Sequence, residues 1–319
     1  MRRSARVSAP GRVCPVSYRH GARALAAPAE LEVDTLWIAG GLYGNPLALE
    51  RLVRLYEAEP GAKALTFNGD FHWFDVFPGD FAQIERGVSP FLATRGNVET
   101  ELAAPVDGAG CGCAYPDWVD EATVERSNRV IERLRATAAR SPQALERLAG
   151  LPMYLVAAVA GERVAVVHGD ADSLAGWGFS QEALSTQPGR AAAARAFAPA
   201  NARIFASSHS CLPVLQRFTG GQVIANNGSA GMPNFHGTRF GLATRISVRP
   251  SAKALYGTRA AHLYVEAVPL DYDADAWQRR FLAQWPQGSA AYASYYRRIC
   301  EGPDYRSEQA LRREAALAA

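Results

Sequence analysis

The chain reads as an α/β fold with several hairpins, and three observations predict it. Short β-branched and aromatic runs alternate with stretches of helical period. Four of those runs end in Gly or Ser beside a residue that carries a lone pair. Two turn signals, Gly161-Glu162 and Gly220-Gly221, separate neighbouring apolar runs.

Taken in order, residues 35 to 39 form the first strand-like run. Asn45-Pro46 then supplies a helix start before Leu47, Leu49 and Leu52, in a helix over Ala48 to Ala58. Runs at 64 to 68 and 90 to 94 follow as strands. From Val119 to Arg140, Val124, Ile131 and Leu134 recur at helical spacing with Arg and Glu between them, the pattern of a packed cap. Strands are expected at 153 to 159 and 163 to 168, then at 203 to 207, 213 to 218 and 222 to 226, and finally at 241 to 248 and 262 to 268. From Ala274 onward the chain is helical and aromatic, with Trp277, Phe281, Trp285, Tyr292, Tyr295 and Tyr296. Its plainest role is to cover an open face of the core; a share in a pocket or a dimer contact are the alternatives. The division is thus an N-terminal arm (1 to 30), a central domain (31 to 270) and a C-terminal helical extension (271 to 319). The segment around Cys14 to Tyr18 is expected to pack beside that extension.

Composition sets limits on function. A chain of 319 residues with 48% hydrophobic content can bury a full core, and a net charge of +3 does not indicate nucleic acid as a partner. Five cysteines without framework spacing favour a reducing compartment, and no apolar run reaches the length of a membrane span. The basic stretch Met1 to Pro10 lacks the apolar segment of a secretory signal and reads as a flexible arm. A cytoplasmic location is expected.

The four runs that end in lone-pair groups carry the chemistry. They close on Asp70, Asn97, His168 and His209. Strand-end loops are where rigid scaffolds place reactive groups. One carboxylate, one amide oxygen and two imidazoles suit Zn, Mn or Fe(II) better than Ca or Mg, which prefer all-oxygen shells. Singly, each residue has an ordinary role as a turn former or a hydrogen-bonded histidine; the signal is the set.

In this order the motifs resemble the calcineurin-like metallophosphoesterase family. Gly69-Asp70, Gly96-Asn97-Val98-Glu99, His168-Gly169 and Ser208-His209-Ser210-Cys211 are followed by the turn Asn226-Asn227-Gly228-Ser229. The segment Trp37 to Pro46 is similar to the family's opening motif, with Gly41 in place of its Asp and Tyr43 in place of its His. The resemblance spans about residues 35 to 248. It implies a four-layer α/β/β/α sandwich of two mixed sheets, with the metal at loop ends on one edge. It further implies hydrolysis of a phosphate mono- or diester in a small substrate, with a metal-bound water as nucleophile.

Carried over by position, all four ligands of the family's second metal are present, as Asp70, Asn97, His168 and His209. Of the first metal's ligands only the bridging Asp70 remains, because Gly41, Tyr43 and Cys211 stand at the other places. The family's leaving-group histidine is Val98. One ion is therefore expected, with a second only if thiols of Cys211, Cys111 and Cys113 rebuild its site. Arg95, His72 and His236 are candidate substrate contacts, being hydrogen-bond donors close in sequence to the site loops. Two readings rival the hydrolase: a pseudoenzyme or binding protein keeping one metal site, and a redox sensor acting through Cys111 and Cys113. A homodimer is compatible with either.

Overall fold

The computed structural model describes residues 9–315, so most of the expected basic arm, Met1 to Ser8, lies outside the described residues. In chain order the first elements are β1 (Leu31–Val33), β2 (Thr35–Ala39), α1 (Pro46–Glu57), β3 (Lys63–Asn68), α2 (Pro78–Val88), β4 (Leu92–Thr94) and α3 (Asn97–Ala103). Next come α4 (Glu121–Ala138), α5 (Pro142–Ala149), β5 (Tyr154–Val159), β6 (Glu162–Val167), α6 (Gln181–Ser185), α7 (Gln187–Ala194) and α8 (Phe197–Ala200). The remainder is β7 (Ile204–Ser207), β8 (Pro213–Phe218), β9 (Val223–Asn227), β10 (Gly241–Ser247), β11 (Tyr256–Ala260), β12 (Leu263–Leu270), α9 (Ala274–Gln284), α10 (Ala290–Glu301), α11 (Ser307–Ala310) and β13 (Leu311–Ala315).

Two mixed sheets result. One runs β1-β5-β6-β7-β9-β8-β13 and the other β11-β12-β10-β2-β3-β4. In the second sheet, β2, β3 and β4 are parallel, and β10 joins them antiparallel to β2. In the first, β6, β7 and β9 are parallel, flanked by the antiparallel pairs β5/β6 and β8/β9.

The period of two along each strand builds the layers. Leu36 and Ile38 of β2 meet Val164 and Val166 of β6 in the core between the sheets. Their chain neighbours face outward: Trp37 and Ala39 pack under the helices on one side, and Ala165 and Val167 under Phe197 and Leu184 on the other. Helix on sheet on sheet on helix is the expected sandwich.

Element boundaries depart from expectation at a few places. The run 90 to 94 is strand only from Leu92, because Ser89 and Phe91 still donate back to Glu85 and Val88 at the end of α2. The edge strand β11 (Tyr-Gly-Thr-Arg-Ala) has almost no apolar signal and is specified by pairing with β12. The C-terminal region ends in a strand, β13, which pairs parallel with β8. Its helices do pack on the core: Trp277, Phe281, Trp285 and Ile299 share a cluster with Phe74, Phe81 and Ile131. The indole of Trp285 donates to the Phe74 carbonyl at 2.8 Å.

Near the N-terminus, two 3-10 turns at Val16–Tyr18 and Ala22–Ala26 bury Tyr18 and Leu25 completely. Tyr18 packs with Leu174 and Ala175 and donates to Glu101 at 2.6 Å. This segment docks, but beside α3 and the loop after β6 rather than on the C-terminal helices. Among the described residues no helix is long and apolar enough to cross a membrane.

Candidate metal centre

The C-terminal ends of β3, β4, β6 and β7 open onto one edge of the sandwich, and each delivers one candidate ligand. After β3, Gly69 (φ +72°) and Asp70 (φ +53°) turn the chain sharply through two left-handed residues. A Cβ on Gly69 would lie 2.5 Å from the Gly96 nitrogen and 2.6 Å from His168 Nδ1. A Cβ on Gly96 would lie 2.3 Å from Asp70 Oδ1. The two glycines are there so that two loops and an imidazole can touch. Glu99, fully buried on α3, locks them together by accepting from the backbone N–H groups of Asp70 (2.7 Å), Gly96 (2.8 Å) and Phe71 (3.0 Å).

The four ligand atoms converge. His168 Nε2 lies 3.2 Å from Asn97 Oδ1, 3.2 Å from His209 Nδ1 and 3.4 Å from Asp70 Oδ2. Among the described residues, Asp70, His168 and His209 form the one group of acidic, histidine or cysteine side chains close enough to share an ion. The outer nitrogens set the ring orientations. His168 Nδ1 faces the Asn68 carbonyl at 2.8 Å, and His209 Nε2 faces the Cys113 carbonyl at 3.0 Å. A carbonyl only accepts, so each of these nitrogens carries the proton and the other nitrogen turns its lone pair inward. The Asn97 amide is oriented likewise: its Nδ2 donates to the Cys111 carbonyl at 2.9 Å, which leaves Oδ1 facing the cluster.

Acceptors that face one another need a positive charge between them. Burial raises the Asp70 carboxyl, yet the His168 charge and hydrogen bond, helped by His209, bring it below its ordinary value. Burial lowers His168, and Asp70 more than reverses this, so its pKa ends raised. His209 drops to about 4, through burial and then repulsion from His168. A proton on His168 is thus the competitor that a cation must displace.

Where the sequence resemblance would place a first metal, side chains fill the space. The Tyr43 hydroxyl and Cys211 Sγ are 2.7 Å apart, and a Cβ on Gly41 would lie 2.8 Å from the Tyr43 ring. Burial raises both the Tyr43 hydroxyl and the Cys211 thiol, which keeps them protonated. The Cys111-Gly112-Cys113 loop does fold back on the site, but it offers carbonyls to Asn97 and His209 rather than thiolates to an ion. All five cysteines are free, and no thiol joins the ligand cluster among the described residues.

None of the three candidate substrate contacts is among the residues that line the cavity above the ligands. His72 is fully buried between Asp75 (2.5 Å) and Glu85 (2.7 Å), where it ties the post-β3 loop to α2. His236 is exposed and shares a surface groove with Arg297 and Pro303. Arg95 is half-buried, and its backbone nitrogen pairs with the Pro152 carbonyl. Sequence reasoning missed Asn68, whose amide also donates to the Val167 carbonyl at 2.8 Å and so pins one sheet to the other beneath the site. It also missed Tyr115 and Trp177, which wall the cavity above the ligands. An asparagine ending an apolar strand was the available sign for Asn68; the two aromatic residues lie in loops with no periodic signal.

No family model and no curated protein matches this sequence. Solved structures do. A hypothetical protein from Pyrococcus horikoshii OT3 is 14% identical, with 86% of this chain and 99% of that one covered at a TM-score of 0.58. A metallophosphoesterase from Sphaerobacter thermophilus is 15% identical, with 84% and 100% covered at a TM-score of 0.55. At such identities the likeness shows the fold, and the fold is that of metallophosphoesterases.

Proposed function

We propose that this protein, built on the metallophosphoesterase fold, hydrolyses a phosphate ester at one divalent ion held by Asp70, Asn97, His168 and His209. The observation that carries the reading is the inward convergence of four lone pairs whose outer atoms are each fixed by a backbone group. The donor set of two nitrogens and two oxygens suits Zn, Mn or Fe(II). Such an ion supplies Lewis-acid polarisation of a phosphoryl oxygen and acidifies a water.

The chain's own residues do the rest. Asn68 and Cys113 hold the two imidazoles in the ligating tautomer through their carbonyls. The Val98 N–H donates to Asp70 Oδ1 at 3.2 Å, leaving the other carboxylate oxygen toward His168. Tyr43 closes the first-metal position and places a neutral hydroxyl in the cavity wall, a hydrogen-bond donor where the family has a second cation. With less positive charge over the phosphoryl group, turnover is slower than in a two-metal site.

One observation favours the pseudoenzyme instead: the side chain at the leaving-group position, Val98, can neither donate nor accept a proton. Metal analysis and hydrolysis of aryl phosphate mono- and diesters with added Mn, Zn or Fe(II) separate the two. Near one ion per chain, with turnover lost in Asp70→Ala and His168→Ala, is expected. Bound metal without turnover selects the pseudoenzyme, and turnover indifferent to both substitutions overturns the metal-centred reading.

A further inference from the structure

The cavity above the candidate metal centre is small, about 40 Å³, and is walled by five aromatic side chains: Tyr43, Trp73, Tyr115, Trp177 and Tyr295. Among the described residues no Lys or Arg lines it, and Asp70 is the one acidic side chain that does. From the ligand His209, rings lead outward. Trp177 lies 5.2 Å from the His209 ring, and Trp118 stands edge-on to Trp177 at 6.2 Å. Trp118 is 62% exposed, which makes it the most exposed large aromatic among the described residues. A tryptophan left in water at the end of a ring series that begins at a ligand is a platform for a planar apolar group.

Charge limits the other end of the substrate. Counting the ion and its four ligands alone, a divalent ion and the Asp70 carboxylate sum to one positive charge, since Asn97 and the two ligating imidazoles are neutral. A phosphodiester brings one negative charge and balances it. A phosphomonoester dianion leaves an excess negative charge against a wall of rings, and the Arg298 guanidinium, which donates to the Cys211 and Pro233 carbonyls, is not among the side chains that line the cavity. We propose, resting on the reading of the preceding subsection, that the site selects a singly charged phosphodiester carrying an aromatic ring that packs against Trp177 and Trp118.

The test is direct binding to Mn²⁺-loaded full-length protein, read by tryptophan fluorescence and calorimetry, with diphenyl phosphate, phenyl phosphate and diethyl phosphate as probes. Diphenyl phosphate is expected to bind at least about tenfold more tightly than either of the others. Trp118→Ala, an exposed position whose loss leaves the core intact, is expected to reduce the advantage of diphenyl over diethyl phosphate by about three- to tenfold. Phenyl phosphate binding as tightly as diphenyl phosphate overturns the inference, as does an unchanged diphenyl-to-diethyl ratio in Trp118→Ala. Both results leave the metal-centred reading standing. Protein that takes up no Mn²⁺ overturns that reading and this inference with it.

Discussion

At the residue scale, glycines and one buried glutamate do as much for the site as the ligands. Gly69 and Gly96 allow two loops to meet at distances that any Cβ would forbid. Glu99 then accepts from four backbone donors that would otherwise be buried without partners. Glu99→Ala leaves them unpaired at about 1–3 kcal/mol each. The expected result is a loss of roughly 3 kcal/mol or more in urea unfolding, together with weaker metal uptake. The first-metal position gives a second prediction. Because the Tyr43 ring occupies the space above Gly41, Gly41→Asp alone is expected to destabilise the protein. Gly41→Asp with Tyr43→His and Cys211→His restores the family's ligand types, and metal analysis should rise from one ion toward two per chain.

At the element scale, each candidate ligand sits where a strand stops. The parallel strands β3 and β4 of one sheet and β6 and β7 of the other end side by side, as ligand sites in α/β sheets do. Away from that edge, β2, β10 and β12 are tied to the end of α1 by a buried ionic group. Arg245 donates to Glu59 at 2.7 and 2.8 Å and to Glu266 at 2.8 Å, and the Trp37 indole donates to Glu59 at 3.1 Å. The Arg245 hydrogen bond, opposed by burial, holds the Glu59 carboxyl below its ordinary 4.5. A depressed folded pKa means stability that is present above the unfolded value and lost as pH falls through the folded one. Glu59→Gln is therefore expected to be less stable than the parent at pH 7. In denaturant titrations the gap should shrink as pH drops below 4.5, whereas a constant gap would mean that the carboxylate charge is not involved.

At the scale of the whole molecule, the C-terminal helices are part of the core. Trp277, Phe281 and Trp285 are at most 2% exposed, and Tyr295 lines the cavity above the ligands. Ending the chain at Asp273 bares the apolar faces of α2 and α4. It should yield protein without a cooperative thermal transition by circular dichroism; a truncated protein that melts sharply would show the region to be dispensable. Much of the architecture was legible beforehand, because period-two strands such as Leu36 to Ala39 and Val164 to Val167 advertise both of their faces. The convergence of four side chains was legible too, since Gly and Ser beside Asp70, Asn97, His168 and His209 mark close backbone approach. What the sequence could not show is which side chains fill space around those ligands. His72 reads as a free donor near Asp70, yet Asp75 and Glu85 enclose it. Cys111 and Cys113 read as soft ligands, yet their carbonyls face the site. Local pattern determines strands, turns and the residues at their ends. Rotamer, tautomer and cavity lining depend on neighbours a hundred residues away, and only the packed tertiary structure decides them.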